Sequence, residues 1–275
     1  MKPTTLTCKD HSISKETFSL VYNEDLALYK TEPVPKDLSA YYESERYISH
    51  TDSTKSVMDK VYQWVKKITL KQKLRLLNRV AIRKNVLDIG CGTGDFIKYC
   101  ENAGWRTTGV EPHEGARKTA QGKCQGSIHS AIDTLEEQFD VITMWHVLEH
   151  VEDLAHYLER LTELVRSKGA LIIAVPNFKS DDAKHYGTYW AAYDVPRHLW
   201  HFSQQSIERL FENTPFTLVE TKGMKFDAYY VSLLSEQYKT GSSKPLAAFW
   251  SGFRSNWKAR KSSEYSSLIY VLKKA

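Results

Sequence analysis

The sequence has few cysteines and no long hydrophobic run. Its four cysteines show no paired spacing, so we expect reduced thiols in a cytoplasmic protein rather than a disulfide framework. No apolar run approaches the roughly 20 residues that span a bilayer, and the first residues lead into no apolar signal core. The net charge of +5 is mild, and it permits an acidic partner without requiring one.

The remaining composition is that of an ordinary folded domain. Hydrophobic residues make up 41% of the 275 residues and charged residues 26%, which is typical of a soluble globular protein. The length exceeds a typical single domain, yet one α/β domain with added segments fills it.

Residues 85–95 combine a strand, a glycine turn and the start of a helix. The strand is the short apolar run at 85–89, rich in the residues that suit a strand buried on both faces. Gly90, Gly92 and Gly94 follow at alternating positions, where glycine permits positive φ and a close approach of a ligand to the backbone. Helical spacing resumes after them.

The spacing of these glycines distinguishes between ligands. A dinucleotide-binding turn needs G-x-G-x-x-G, and here Asp95 holds the place of the third glycine, where its carboxylate would repel a pyrophosphate. A P-loop is ruled out because no Gly-Lys-Ser/Thr follows. Asp95 therefore argues against an NAD-dependent dehydrogenase.

The pattern D-x-G-x-G-x-G at residues 88–94 resembles motif I of the class I S-adenosylmethionine (SAM) methyltransferases. The resemblance implies a turn that cradles the methionine and ribose portions of SAM, with S-adenosylhomocysteine as the product. The cofactor-binding residues that it implies here are Asp88, Gly90, Cys91, Gly92 and Gly94.

An acidic residue ends the second predicted strand. Glu111, followed by Pro112, lies 21 residues beyond the first motif glycine, where a doubly wound fold places the acid that binds ribose hydroxyls. We predict that both residues contact SAM; the alternative is a surface acid at a turn. After a third strand at 127–130, the resemblance implies that Ile132 and Asp133 contact the adenine.

A second specific signal lies at residues 139–150. Its apolar strand delivers Trp145 and His146 to the edge of the sheet where ligands bind, and we predict cofactor contacts for both. The run Phe-Asp-Val…Leu-Glu-His resembles motif IV and its successor in small-molecule methyltransferases. His150 is a candidate general base, because the ordinary pKa of histidine is near 6.5, or else a structural hydrogen-bonding group.

The segment 178–202 is long for a loop and rich in reactive side chains. It follows a predicted helix that closes at Lys168-Gly169 and a buried strand at 169–177. Its second half resembles a segment of one methyltransferase group that carries an N-terminal zinc ribbon. We predict that this loop forms the acceptor wall, with His198 as base or substrate orienter and Arg197 as a clamp for an anionic acceptor; either residue is otherwise structural.

Residues 1–53 are predicted to form a small extension ahead of a methyltransferase domain at 54–275. Two short strands at 17–22 and 26–30 make it similar to that zinc ribbon. Only Cys8 remains of the four ligands that a ribbon needs, so we predict no bound metal.

A tyrosine-rich stretch ends the extension. Tyr42, Tyr47 and His50 are predicted either to close over the cofactor as a lid, with Tyr47 contacting SAM, or only to pack the extension on the core.

A long basic helix is predicted within 54–84. The apolar stripe that we expect to face the core consists of Val57, Val61, Trp64, Val65 and Ile68. Lysine and arginine occupy most other positions. A solvated face is the default interpretation and a nucleic-acid contact is the alternative, although no aromatic residues interleave with the charges as a single-strand binder requires.

The sheet is predicted to end with an antiparallel pair of strands at 216–220 and 267–272, separated by a helical insertion at about 225–264. The second inserted helix begins at Pro245 and carries a narrow arc of apolar residues: Leu246, Phe249, Trp250, Phe253 and Trp257. Such a helix, bordered by basic residues, rests on a membrane surface, covers the acceptor cleft or packs on a neighbouring subunit.

The sequence therefore predicts a doubly wound, seven-stranded, mainly parallel sheet with the insertion before its last strand. The predicted activity is methyl transfer from SAM, most simply to an oxygen of a small-molecule or glycan-linked acceptor. The alternatives are a non-catalytic SAM-binding module and a methyltransferase acting on protein or nucleic acid. The fourth strand ends without an Asn/Asp-Pro-Pro-Tyr/Phe segment, which lowers the case for methylation of a nucleic-acid base.

Overall fold

The computed structural model describes residues 5–41 and 57–275, without the side chains of Ser39 and residues 57–62. Tyr42, Tyr47 and His50, the predicted lid residues, lie outside the described residues.

Eleven strands and eight α-helices are present in the described residues. The strands are β1 Thr5–Lys9, β2 Thr17–Asn23, β3 Leu28–Glu32, β4 Asn85–Ile89, β5 Arg106–Val110, β6 Ser127–His129, β7 Phe139–Trp145, β8 Val165–Pro176, β9 Trp200–His201, β10 Phe216–Gly223 and β11 Ser267–Lys274. The helices are α1 Val57–Val80, α2 Asp95–Glu101, α3 Glu114–Lys123, α4 Leu154–Leu164, α5 Asp181–Tyr186, α6 Gln204–Phe211, α7 Asp227–Thr240 and α8 Pro245–Ser262.

Seven strands form the main sheet in the order β10-β11-β8-β7-β4-β5-β6. Strands β4 to β8 run parallel, whereas β11 is antiparallel to both of its neighbours. The central strands are apolar and covered on both faces, as parallel strands between two helical layers must be. The predicted fold class is confirmed, including the antiparallel last strand and the two helices inserted before it.

One predicted boundary and one predicted core residue of this domain are wrong. Helix α4 ends at Leu164 and β8 begins at Val165, so the chain enters the strand four residues before Gly169. The strand absorbs the extra residues through a register shift opposite β7, with Lys168 at a φ of 62°. In α1, Trp64 is 61% exposed, because the helix packs on the sheet through its second half at Leu76 and Leu77.

The N-terminal strands form a second, antiparallel sheet. The predicted pair is present as β2 and β3, and β1 is an additional edge strand whose alternating short pattern gave no clear signal. The fourth strand of this sheet is β9, which pairs Tyr29 with His201. The predicted acceptor loop therefore reaches out of the main domain to complete the sheet of the extension.

The segment predicted as one long loop is ordered locally. Ser180 caps α5 by accepting a hydrogen bond from the Ala183 N–H, and two short 3₁₀ turns follow at 187–189 and 191–193. This segment begins at the carboxyl end of β8, so it lies over the edge of the sheet at which the glycine turn also lies.

Candidate active site

The glycine turn joins β4 to α2 with positive φ at each of its three glycines. A Cβ on Gly90 would lie 2.4 Å from a methyl of Val147, and one on Gly94 would lie 2.6 Å from the Cys124 sulfur, so these two positions are closed by protein. A Cβ on Gly92 would meet no atom within 4 Å. The turn therefore packs on the domain at both ends and is open at its middle.

Glu111 holds this turn from the neighbouring strand. Its Oε2 accepts a hydrogen bond from the Gly92 N–H at 2.8 Å, and its Oε1 accepts one from the His113 N–H at 2.9 Å. The side chain is largely buried. The predicted acid thus lies beside the open part of the turn, while Pro112 is an exposed residue whose carbonyl accepts from Arg117.

Asp88 is a buried carboxyl beneath the turn. Thr143 donates to its Oδ1 at 2.6 Å. Burial raises the pKa of Asp88 to about 6, against the opposing effects of the Thr143 hydrogen bond and the Lys73 charge. This carboxyl is therefore a group whose charge costs free energy in the folded protein.

Lys73 on α1 joins this site and was not predicted to do so. Its ammonium lies 4.2 Å from the ring centre of Trp145 and 5.4 Å from that of Phe96. Burial lowers the pKa of Lys73 to about 8, opposed mainly by the charge of Asp88. The Nε1 of Trp145 is buried without a hydrogen-bond partner. One lysine among many on a basic helix gives no sequence signal for this role.

His146 follows Trp145 and is held between two acids. Its Nδ1 lies 3.2 Å from Oε1 of Glu149, and its Nε2 lies 3.1 Å from Oδ2 of Asp227 at the start of α7. Burial opposes the charge, but the hydrogen bonds to Asp227 and Glu149 outweigh it and raise the pKa of His146 to about 10. His146 is therefore an imidazolium that ties the inserted helix to the end of β7.

A cavity of about 720 Å³ lies beside His146. It is a partly open cleft bordered by the extension, the 178–202 segment and α7. Side chains from these three sources that line it include Ile13, Tyr41, Ala192, Val231, Leu234 and Tyr238. The lining is more apolar than polar, as in a site for a small organic molecule.

His150 and His198 lie together in the wall of this cavity, with ring centres 4.6 Å apart. Nδ1 of His150 lies 3.0 Å from the Arg197 carbonyl, and Nδ1 of His198 lies 2.9 Å from the Ala192 carbonyl. A carbonyl only accepts, so Nδ1 carries a proton in each ring, and Nε2 is the nitrogen that can take up or release a proton. Burial, together with the charge of His198, lowers the pKa of His150 to about 4.

Glu149 completes this group and was not predicted. It is fully buried, and its Oε2 has no hydrogen-bond partner. Burial raises the pKa of Glu149, but the His146 hydrogen bond and charge outweigh burial and lower it, so the side chain is a carboxylate. One carboxylate oxygen of Glu149 and one ring nitrogen from each of His150 and His198 all lie within 4.8 Å of one another. Chemically this set suits either proton transfer or a divalent metal ion.

Arg197, the predicted anion clamp, is engaged by protein on all sides. Its guanidinium donates to the carboxylate of Asp194 and to the Ser12 hydroxyl, and Nη1 donates to the Tyr41 carbonyl at 3.2 Å. Nη2 also lies 3.5 Å from the buried Asp10. The residue lines the cavity, but its donors link the extension to the main domain.

Three other predicted cofactor residues are placed as follows. The side chain of Cys91 packs between α2 and α3 with Ile97 and Ala120. The side chain of Ile132 is 2% exposed within the main core. Asp133 is exposed and accepts from Nε2 of His156 at 2.8 Å. The side chains of Cys91 and Ile132 are therefore packed inside the protein, whereas that of Asp133 is at the surface.

Comparison with known proteins places this arrangement in a family. The methyltransferase domain family matches residues 55–221. Ubiquinone biosynthesis O-methyltransferase of Azorhizobium caulinodans is 30% identical over 158 residues, which cover 52% of this chain and 62% of that protein. The protein of the same name from Rickettsia bellii is 27% identical over 157 residues, covering 52% and 65%. The match thus spans less than two thirds of the length of these relatives.

A solved structure shares the fold. The magnesium protoporphyrin IX methyltransferase of Synechocystis PCC 6803, with bound S-adenosylhomocysteine, superposes with a TM-score of 0.56 at 16% identity. The match covers 86% of this chain and 95% of that one. Since the family match extends over more than half of the chain, this protein belongs to the class I S-adenosylmethionine-dependent methyltransferases.

Proposed function

We propose that this enzyme transfers the methyl group of SAM to an oxygen of a small-molecule or glycan-linked acceptor bound in the 720 Å³ cavity. The observation that carries the proposal is the pair His150 and His198, whose basic ring nitrogens belong to the cavity wall. A hydroxyl acceptor starts protonated, so its methylation benefits from such a base. Two relatives that carry the name O-methyltransferase support the same choice.

The residues at the glycine turn fit SAM. The space beside Gly92 is open, so a ligand could approach the backbone there. Trp145 lies along the same edge of the sheet, and its buried Nε1 has no hydrogen-bond partner. We assign ribose binding to Glu111, and cofactor contacts to the turn, Trp145 and His146. When bound, SAM supplies an electrophilic methyl group on a sulfonium.

His198 is the proposed base. Its Nδ1–H is fixed on the Ala192 carbonyl, which orients the ring as a second hydrogen bond orients catalytic histidines. His150 lies edge-on to it and is neutral at pH 7, so it does not repel a proton arriving on His198. The buried carboxylate of Glu149 stabilises the imidazolium that forms.

The cavity walls supply alignment and exclusion of water. The apolar side chains of α7 cover one side, and the His146–Asp227 contact fixes the start of that helix at the end of β7. On the other side, the extension is held in place by Arg197. A reactive sulfonium needs mainly such positioning, since effective concentration contributes much of the acceleration in transfer reactions.

The proposed location is the cytoplasm, with peripheral membrane contact through residues 245–261. The four cysteines are unpaired thiols, which suits a reducing compartment. Among the described residues, no helix is both long and apolar enough to cross a bilayer. Contact with nucleic acid is not part of the proposal.

The test is incubation of the purified protein with methyl-labelled SAM and a cell extract separated into small-molecule, lipid, glycan, protein and nucleic-acid fractions. Label in the small-molecule or glycan fraction, lost in Glu111→Ala, supports the proposal. Label in protein or nucleic acid overturns the acceptor class. SAM binding without label in any fraction means either that the acceptor is absent from the extract or that the protein is a binding module.

A further inference from the structure

Helix α8 packs on the protein through its small residues and exposes its large apolar residues, the reverse of an ordinary amphipathic helix. Its buried face consists of small residues: Ala248, Ser251, Gly252, Ser255 and Ala259. A Cβ on Gly252 would lie 2.8 Å from the ring of Tyr229 and 3.0 Å from the Ala228 carbonyl, so the two inserted helices touch closely. The large apolar residues lie on the opposite, solvent-facing side.

This outer side is a continuous aromatic surface. Its members are exposed by 41–78%, and they are Leu246, Phe249, Trp250, Phe253 and Trp257. Successive ring centres from Phe249 to Trp257 are 5.8, 5.9 and 6.2 Å apart. A contiguous exposed patch of this kind marks an interaction surface, whereas single exposed apolar residues do not. The aromatic surface does not line the 720 Å³ cavity, so it is not the cover of the acceptor site.

The charges around the aromatic surface identify its partner. Helix α8 contains four basic residues, Arg254, Lys258, Arg260 and Lys261, and no acidic residue; Lys244 precedes it. Asp181 pairs with Arg254 and Lys258 and offsets part of this charge. A second copy of the chain would bring an identical basic helix against this one, so self-association is disfavoured. Anionic headgroups would instead be attracted.

The pattern of residues also suits a lipid interface. Tryptophan and phenylalanine insert at the boundary between headgroups and acyl chains, while lysine and arginine reach the phosphates. The Arg260 guanidinium lies 5.3 Å from the ring centre of Trp257, which joins the two kinds of group at one end of the helix. A water-soluble acidic protein would satisfy the charges but not the row of exposed rings.

We propose that α8 docks on an anionic phospholipid surface, with its aromatic surface in the interface and Lys244, Arg260 and Lys261 on the headgroups. The helix lies along the membrane and does not cross it. Tyr230 on α7 lines the cavity and directly follows Tyr229, which stacks on Phe249 at 5.5 Å. Docking through α8 therefore brings one wall of the acceptor cavity near the membrane.

Anionic phospholipid is thus the partner in the peripheral membrane contact, and the inference rests on the proposed function only for that contact. The test is sedimentation of the full chain with vesicles of phosphatidylcholine alone and of phosphatidylcholine mixed equally with phosphatidylglycerol. We expect binding to the mixed vesicles, weaker binding to the neutral ones, and weakening by salt. The double substitution Trp250→Ser, Phe253→Ser should reduce vesicle affinity by about 10- to 100-fold, because burial of each aromatic ring in the interface contributes favourable free energy.

The matched control is Trp64→Ser, since Trp64 on basic helix α1 is 61% exposed and Trp250 is 63% exposed. Its binding should equal that of the unchanged protein. Absence of binding to the mixed vesicles, or equal binding by the double variant, overturns the inference. So does a dimer in solution that dissociates on Trp250→Ser, because a second copy would then cover the surface. Vesicle binding requires no turnover, so its failure leaves the methyl-transfer proposal intact.

Discussion

The carboxylate of Glu111 accepts a hydrogen bond from the Gly92 N–H at 2.8 Å. Glu111 directly follows β5, and Gly92 is the open middle of the glycine turn that follows the neighbouring strand β4. Parallel pairing of β4 with β5 brings the two together, because both carboxyl ends then lie at the same edge of the sheet. The contact shapes the turn and places a charged acceptor beside it before any ligand binds.

Replacing this acid should weaken SAM binding. Hydrogen bonds to a charged group are worth about 1.5–3 kcal/mol, so Glu111→Ala should lower SAM affinity by about 10- to 100-fold. Isothermal titration calorimetry with S-adenosylhomocysteine measures the change. Glu114→Ala is the control, because Glu114 is an exposed residue paired with Lys118 on the next helix. Unchanged affinity in Glu111→Ala would contradict the assignment.

Alanine at two of the motif glycines should have separable effects. Both positions have positive φ, which costs an alanine roughly 1–2 kcal/mol. Gly92→Ala adds a methyl in open space, so it should fold but lose SAM affinity by at least about tenfold. Gly94→Ala also collides with Cys124 and should lower the unfolding temperature more. Thermal unfolding and ligand titration of the pair test this, and the reverse order of effects would refute it.

Replacing the buried carboxyl of Asp88 should stabilise the protein near neutral pH. Its pKa is about 6 when folded and 3.8 in its ordinary state. Below about pH 4 both states are protonated; between pH 4 and 6 only the unfolded state loses its proton, so folding becomes less favourable as pH rises. The penalty at pH 7 is roughly 3 kcal/mol.

Asp88→Asn keeps an acceptor for Thr143 and removes this penalty. We expect a higher free energy of unfolding than that of the unchanged protein at pH 7, with the difference shrinking toward pH 4. Denaturant unfolding at the two pH values measures it. A variant that is less stable at pH 7 would show that the charge of Asp88 is compensated.

Replacing Arg197 should reduce the stability of the protein, and any effect on binding of the acceptor should be secondary. Removing one partner from a buried charge network costs about 3–5 kcal/mol, so Arg197→Ala should lower the unfolding temperature and expose residues 5–41 to proteases. Arg106→Ala, an exposed arginine paired with Glu137, should have little effect. Loss of methyl transfer in Arg197→Ala without loss of stability would instead favour the anion-clamp hypothesis.

The parts of the fold that could be predicted are those in which sequence neighbours determine structure. The strand, turn and helix at 85–101 and the acid 21 residues after Gly90 follow from local pattern and from parallel pairing. Lys73 and Asp227 could not be predicted, because they reach Trp145 and His146 only through packing of distant helices. Glu149 lay inside a recognised motif, but its isolation from water becomes visible only in three dimensions.

Helix α8 shows how a correct pattern leaves orientation open. Its aromatic arc was visible in the sequence, yet an apolar stripe ordinarily faces the core. Here the opposite stripe of small residues makes the contact, because Gly252 permits an approach to Tyr229 that a larger residue would block. The same ambiguity misplaced Trp64 on the first helix.

The most direct test of the proposed reaction is carbon-13 spectroscopy of the product formed from methyl-labelled SAM, compared between the unchanged protein and His198→Ala in the presence of a chelator. We expect a methyl on oxygen in a small-molecule or glycan product. His198→Ala should bind SAM with unchanged affinity yet transfer the methyl about 10²–10⁴-fold more slowly, as loss of a general base predicts. A methyl on nitrogen or carbon, or an equal rate in His198→Ala, would contradict the account.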